Sequence, residues 1–553
     1  MSETKLLYGA AVQGIQGFIF QTNKLREIVG ASELVEEICS KKFYELLSGK
    51  NNVDSQTASK ELIKDKNCIL HAAGNIKYIF DTKEDCEKIV REFPKAIFEF
   101  APGVTVSQAV VVFDNIEWKE DMPVFVEKDF DGKNRKVFQS FKNAVNELEK
   151  RLRSQRNKPM RSATLGLMGI ERSRQTGLPI VDERKVKGEW MPVDAGTRAK
   201  LDMFKDAEDP NFELTKSLCN TAYGKEKLYS RQIAYDIEKI TEKNDWIAII
   251  HADGNGLGQV VQKVGKDQDM FKQFSEKLDE ATTASAVDAY KYVKKEHDLK
   301  DDELIPIRPI VLGGDDLTVI CRADLALDYV AEFIKQFENR TREQLGEILQ
   351  KYDVFVNEQD KRLTACAGIA YIKSSFPFYY GYNLAETLCS LAKKDAKDKQ
   401  EIKEGKKLPK SCLMFHKVQD SFTEDWSAIA KRELTPQENI SFQYGPYYIN
   451  EAKGDKWLVK DLKKKANKLD SKEGNAVKSH LRQWMSLLHY NHGMANQKLL
   501  RLKSMTTNKE LLDLIKEVTF EYKNKKEEPY KSPVYDILAI HTINTQTTKE
   551  VER

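Results

Sequence analysis

The stretch Pro309–Arg322 reads PIVLGGDDLTVICR, and the rest of the chain is best read outward from it. Val311 and Leu312 lead into Gly313-Gly314-Asp315-Asp316; Leu317, Val319 and Ile320 lead out, with Thr318 between them. Two apolar, β-branched runs around a glycine pair predict a hairpin with a tight turn. Adjacent carboxylates at such a tip repel each other and bury nothing, so they offer little to stability. Under a divalent cation they become useful. The competing reading is an ordinary solvated turn, since Gly and Asp are common turn residues.

Upstream, Asp245–Asp253 (DWIAIIHAD) is a strongly apolar strand that ends at Asp253 and runs into Gly254-Asn255-Gly256-Leu257-Gly258, with a helix to follow. If the hairpin pairs beside this strand in an antiparallel sheet, Asp253, Asp315 and Asp316 converge at one end. Oxygen ligands on rigid strands suit two Mg²⁺ or Mn²⁺ ions bridged to substrate phosphates. Such a site activates a 3′-hydroxyl for in-line attack on an α-phosphate, with pyrophosphate leaving. Asp253, Asp315 and Asp316 are therefore the candidate catalytic and metal-binding residues. The DGNGLG run offers backbone N–H groups and a helix start to phosphates. This makes Gly254, Asn255, Gly256 and Gly258 candidate nucleotide-binding residues, together with Gly313 and Gly314. No Gly-Lys-Ser/Thr follows, which argues against a Walker-type ATPase.

Tyr382–Ala396 predicts a helix that carries Lys393 and Lys394 near its end, candidates for neutralising phosphate; a solvated basic surface is the alternative. Ser390 and the Ala367-Gly368 pair are weaker candidates for the same pocket, with ordinary packing the competing account. Phe376, Phe378, Tyr379, Tyr380 and Tyr382 form an aromatic cluster nearby, read as core packing or as an adenine platform. His251 lies two residues before Asp253, so both side chains share one face of the strand. His489 and His492 lack a third ligand and read as packing or surface residues.

The order strand, glycine-containing turn, helix, hairpin, helix, strand occurs twice. One copy runs through Leu6–Gly17, Ile69–Phe80 and Gly103–Val112; the other through Trp246–Gly258, Ile310–Ile320 and Thr364–Ile372. Ala72-Ala73-Gly74-Asn75 stands where Gly313-Gly314-Asp315-Asp316 stands. The first copy has no acid at its tip or at the end of its first strand, so one copy reads as catalytic and the other as structural.

At 553 residues the chain exceeds the size of a single core. Composition of 41% hydrophobic and 32% charged residues is that of a soluble folded protein. No run approaches a membrane span, and MSETKLLYGAAVQG lacks a secretory pattern. Eight cysteines without a C-x-x-C pair argue against a zinc ribbon or a disulfide scaffold and point to the cytoplasm. A formal charge of +3 implies no global affinity for nucleic acid. The most basic segment is Lys150–Arg161 (KRLRSQRNKPMR), where a phosphate backbone or only solvent lies against the charge. The expected division is a degenerate first copy of the repeat at 1–135, a mostly helical, basic linker at 136–240, the catalytic copy at 241–425 and a separate helical domain at 426–553. Helical pattern is expected from Asp455 to about Tyr522, then irregular chain.

The combination of Asp253, Gly313-Gly314-Asp315-Asp316, CAGIAYIKSSFPF and LAETLCSLAKK resembles the second Palm domain of the large subunit of type III CRISPR effector complexes. VQGIQGFIFQTNKLREIVGASELVEE resembles the opening of that family's first, degenerate Palm. The resemblance covers about residues 5–112 and 245–420. It implies an α+β architecture of two ferredoxin-like Palm domains related to nucleotide cyclases and polymerases. It also implies conversion of ATP into cyclic oligoadenylates, with Asp315, Asp316 and Asp253 matching the metal-binding acids. Two departures stand out. Many relatives begin with a histidine-aspartate nuclease domain, whereas this sequence opens with the Palm-like strand; His297-Asp298 has no histidine cluster around it. Relatives often carry cysteine-bound zinc between the Palms, whereas ERSRQTGLPIVDERKVKGEWMPVD has no cysteine. A compact, stand-alone relative is therefore one expectation.

The expected activity is a metal-dependent nucleotidyltransferase that joins and cyclises ATP into cyclic oligoadenylates for antiviral defence. The alternatives are a cyclic mono- or dinucleotide synthase and a catalytically silent scaffold. Expected partners are nucleoside triphosphates, RNA or CRISPR effector subunits, and a second copy of the chain, with no membrane.

Overall fold

The computed structural model describes residues 4–72, 74–114, 125–128, 134–137, 141–157, 169–186, 188–204, 209–215, 217–241, 245–265, 267–352, 354, 361–397, 407–420, 424–523 and 529–548. Part of the basic segment Lys150–Arg161 lies outside them. So does Ala73 of the first hairpin tip.

The first unit opens with β1 (Thr4–Gln13), α1 (Ile15–Phe20) and α2 (Leu25–Glu37). The hairpin β2 (Cys68–Ala72) and β3 (Asn75–Phe80), the helix α3 (Lys83–Phe100) and β4 (Thr105–Asp114) complete it. Its four strands pair antiparallel in the order β2-β3-β1-β4. Next come α4 (Phe141–Arg156) and a hairpin of β5 (Ile180–Val186) and β6 (Glu189–Asp194).

The second unit runs β7 (Trp246–Gly254), α5 (Leu257–Val264), α6 (Gln268–Glu296), β8 (Ile307–Gly313), β9 (Asp316–Arg322), α7 (Ala326–Lys351) and β10 (Ala365–Lys373). Then come α8 (Phe378–Ala396), β11 (Cys412–Lys417) and the short β12 (Tyr447–Tyr448). The sheet order is β8-β9-β7-β10-β11-β12, so its first four strands repeat the topology of the first sheet. Two ferredoxin-like Palm folds stand in one chain, as the repeat predicted.

The register makes the repeat exact enough to compare residue with residue. The pair Ala72–Asn75 closes the first hairpin, and Gly313–Asp316 closes the second. In the first sheet Asn75 faces Ala11. In the second, one step beyond the last pair, Ala252–Leu317, brings Asp253 to Asp316. Ala11 thus occupies the place of Asp253. Three residues further on, Gly14 (φ 69°) and Gly256 (φ 78°) start α1 and α5 from the left-handed region, which only glycine enters without strain.

β7 is apolar on both faces because both faces are covered. Ala248, Ile250, Leu317, Val319, Ile369 and Tyr371 face a core shared with α6, α7 and the C-terminal helices. Ile247, Ile249, Ile310, Ile320 and Ile372 face a second core, which contains Tyr8, Val12, Phe18 and Ile28 of the first unit. The other face of the first sheet is covered by Phe141, Ala144, Leu148 and Leu152 of α4.

Two expectations about organisation need correction. Among its described residues the region 136–240 is not mostly helical: one long helix runs over Phe141–Arg156, and β5–β6 form a hairpin. In IVDERKV exposure alternates residue by residue, the period of a strand, and Gly188 (φ 89°) makes the turn. Short strands at Glu213–Leu214 and Leu228–Tyr229 also interrupt the rest. The C-terminal part is not separate. Trp484, Leu488 and Leu462 lie in the same core as the second sheet, and β12 adds a strand to that sheet. Nor is the chain irregular after Tyr522 throughout, because Val534–Thr548 forms α10, after α9 (Lys472–Tyr490). Apolar residues on a helix that docks against a sheet make one core of the two. No helix among the described residues is long and apolar enough to cross a membrane.

Candidate active site

The acids meet at the end of β7. Asp253 is its penultimate residue, Asp316 is the first residue of β9, and Asp315 is the second residue of the turn. Close approach depends on Gly254: a Cβ there would lie 2.9 Å from Asp315 Cβ and Oδ2. Asp253 and Asp315 share a hydrogen bond. Desolvation, and next the charges of Asp316 and Asp253, push the Asp315 carboxyl up to about 8. Desolvation followed by the Asp253 charge pushes Asp316 up to about 7. Asp315 and Asp316 are thus held towards their protonated forms beside a third acid, which marks a place built for positive charge.

One cation of the chain is already there. Lys393 of α8 forms an ion pair with Asp253 and donates to the Gly254 carbonyl at 2.9 Å. Asp253 keeps its ammonium above the ordinary lysine range against the opposing, larger effect of burial. α8 lies close enough for this because Gly368 has no side chain; a Cβ there would sit 1.9 Å from the Ala385 carbonyl oxygen.

Oxygen donors of this kind fit a hard divalent ion. Ligand atoms of His251, Asp253 and Asp316 all lie within 4.8 Å of one another. His251 is oriented by Thr318 (Nδ1 to Oγ1, 3.3 Å) and by the edge of Tyr382, with ring centroids 5.8 Å apart. Burial holds its imidazole below the usual histidine range, in the neutral form that can ligate.

The other nucleotide-binding candidates divide. Asn255 is fully buried and faces inward: its amide N–H group donates to Thr364 Oγ1 (3.2 Å) and Cys366 Sγ (3.3 Å), so it braces the loop from beneath. Gly256 turns the chain into α5, and a side chain at Gly258 would meet nothing within 4 Å, which leaves that helix start open. Gly313 and Gly314 are held by α6. Gly314 N–H donates to Asp279 Oδ1 (3.0 Å), and Thr282 Oγ1 donates to the Gly314 carbonyl (2.5 Å). Ser390 is exposed on the stripe of Lys393, one turn away along α8. Lys394 is exposed and a helical step of about 100° away from Lys393, so the structure does not bring it to the acids. Ala367 and Gly368 are buried packing residues and line no pocket.

Four residues here escaped sequence reasoning. Asp279 and Thr282 lie on the long helix α6, where a carboxylate and a hydroxyl look like any solvated face. Glu386 shares the stripe of Lys393 at helical spacing, a signal that was available. Gln16 comes from the first unit: its Nε2 donates to Tyr382 Oη (3.1 Å) and Glu386 Oε1 (3.3 Å). No local pattern announces a contact made across two domains. In the aromatic cluster, Phe378 and Tyr382 pack on Phe20, whereas Tyr379 and Tyr380 are exposed. His297 pairs with Asp328 (3.1 Å), and His492 stacks on Tyr522.

A ferredoxin-like sheet with acids at a strand end and on the neighbouring hairpin defines a Palm domain of the polymerase and nucleotide-cyclase class. Residues 246–403 match the family model described as Cas10/Cmr2, second palm domain. No curated protein matches the chain. Among solved structures, the Csm1–Csm4 cassette in complex with cA3 is similar at a TM-score of 0.51 and 14% identity, covering 99% of this chain and 70% of that one. The cassette in complex with AMPPNP gives the same values. The Csm1–Csm4 subcomplex of the type III-A CRISPR-Csm interference complex has a TM-score of 0.50 at 15% identity, covering 98% and 70%. At these identities the likeness is one of fold, and it extends over both Palms.

Proposed function

We propose that the chain is a metal-dependent nucleotidyltransferase that joins ATP through 3′-hydroxyl attack and closes the product into a cyclic oligoadenylate. The observation that carries this reading is the convergence of Asp253, Asp315 and Asp316 beside Lys393. A scaffold has no use for three carboxylates at one point, with Asp315 and Asp316 pushed up by burial and by neighbouring acids. Asp253, Asp315 and Asp316 would hold Mg²⁺ or Mn²⁺, with His251 a further ligand candidate. Such ions, when bound, acidify the attacking hydroxyl and offset charge on the triphosphate.

The chain's own residues do the rest. The open start of α5 at Gly256–Gly258 presents N–H groups to phosphate oxygens. Lys393 neutralises negative charge that develops as the bond from the α-phosphorus to the pyrophosphate oxygen breaks. Asp279 and Thr282 fix the hairpin tip, so the acids need not reorganise during reaction. Ser390 is placed at the rim of the same pocket. The neighbours with bound cA3 and AMPPNP support adenine nucleotides as substrates, and those solved with Csm4 support a place in an effector assembly. We read the working division as first Palm, linker, second Palm and C-terminal helices, with α4 counted to the first Palm.

The test is incubation of the purified protein with each labelled nucleoside triphosphate and Mg²⁺ or Mn²⁺, with and without target RNA. The paired Asp315→Ala and Asp316→Ala variant is the control. Pyrophosphate release from ATP that the variant lacks is expected; no release under any condition overturns the proposal.

A further inference from the structure

At the end of the second sheet opposite the acids, two lysines lie over one indole and an arginine stands near one of them. Trp246 opens β7 and is almost fully buried, at 7% exposure. Lys373 Nζ, at the end of β10, lies 4.7 Å from its ring centroid; Lys417 Nζ, at the end of β11, lies 4.2 Å away. Arg482 of α9 reaches the same junction and donates from Nη2 to Thr542 Oγ1 of α10 at 2.9 Å. Burial, with Arg482 and Lys373 next in effect, pulls the Lys417 ammonium down to about 8. Lys373 has a carboxylate partner, Asp245, at 3.2 Å. Among the described residues, Lys417 and Arg482 meet none. Three cations against one carboxylate leave positive charge unmatched, with Lys417 half-buried and Arg482 exposed at the rim. An indole face offsets that only in part. A fold seldom concentrates like charges there without a ligand to balance them.

We propose that the junction of the second Palm sheet with the C-terminal helices is an anion site for a phosphate group, held by Lys417, Arg482 and Lys373. Guanidinium and two ammonium groups suit a tetrahedral dianion, the arginine through its planar fork and the lysines as point charges. The group belongs to a free phosphate or pyrophosphate, or to the backbone of a polynucleotide. Trp246 is covered by the two lysines and is not a stacking platform for a base.

Isothermal titration of the full chain in EDTA, so that no metal-bound phosphate forms at the acids, tests the site. The probes are inorganic phosphate, inorganic pyrophosphate and a short single-stranded RNA, each against chloride at matched ionic strength. Lys417→Met retains the aliphatic stem over Trp246, and Arg482→Gln alters an exposed position that tolerates change. Each is expected to weaken binding at least tenfold, while Lys95→Met on α3 of the first Palm leaves it unchanged. Binding of the inorganic anions identifies a free phosphate as the ligand; binding of RNA alone identifies a backbone. Should no probe bind more tightly than chloride, or should Arg482→Gln and a folded Lys417→Met bind as the parent does, the proposal is overturned.

Discussion

The two Palms share a strand order, a register and even the left-handed glycine that starts the first helix, yet they differ where chemistry would occur. Where the second has Asp253 and Asp316, the first has Ala11 and Asn75. At the hairpin tip Gly74 replaces Asp315, with a φ of 80° and its Cα against Ile15; a Cβ there would come 2.4 Å from the Ile15 methyl. The first site is closed by apolar contact, and the second is kept open by charge. Topology alone therefore does not gather carboxylates at one point; side chains at a few register positions do.

The sharpest way to break this contrast is to remove the charge. Asp253→Asn or Asp316→Asn should cut ATP turnover by more than the ~10–100-fold that loss of a supporting partner of a metal site costs. Pyrophosphate release measures it, and Asn75→Ala in the first Palm should leave the rate near that of the parent. Lys393→Met should fall within that ~10–100-fold range in kcat/KM, since the acids remain while their fixed counter-charge is lost.

Packing offers a third comparison. Gly368→Ala in the second Palm drives a Cβ into the backbone carbonyl of Ala385, which cannot yield cheaply. Gly9→Ala in the first meets the methyl end of Leu148 at 2.7 Å, which can turn aside. Denaturant unfolding should show a loss of ~1–3 kcal/mol or more for the former and less for the latter.

The smallest effect is one of pH. The folded-state proton affinities of Asp315 and Asp316 are raised, to about 8 and about 7, so the native state binds more protons than the unfolded chain. Their contribution to stability is fully present at acid pH and is lost as pH rises from the ordinary carboxylate range through about 8. In EDTA the melting temperature of the parent should fall more steeply over that window than that of Asp315→Asn. Saturating Mg²⁺ should restore the parent at pH 8 and help the variant less.

Much of this was legible in the sequence because it is local. PIVLGGDDLTVICR carries its own turn chemistry, WIAIIHAD its own burial, and the repeat of both allowed the eroded copy to be seen. Lys393 was found from its place near a helix end, but its neighbour Lys394 was not separable from it without the direction of the helix. Asn255 looked like part of a phosphate loop and proves to be a buried brace, a distinction set by which way one amide points. The hairpin β5–β6 was obscured by its charge: alternation among DERK residues is weaker evidence of a strand than alternation of valine with lysine. Gln16, Asp279 and Thr282 act through contacts distant in sequence, and no window of residues contains them.

The core that the two Palms share has a consequence for how the molecule can be taken apart. Ile247, Ile249, Ile310, Ile320 and Ile372 of the second sheet find their cover partly in Phe18 and Ile28 of the first copy. A fragment cut at the linker would bare that aliphatic wall to water and should aggregate, while the intact chain should unfold through these parts together. The copy without the acids is not dispensable: with the helix Phe378–Ala396 it shields the second face of the other sheet from solvent.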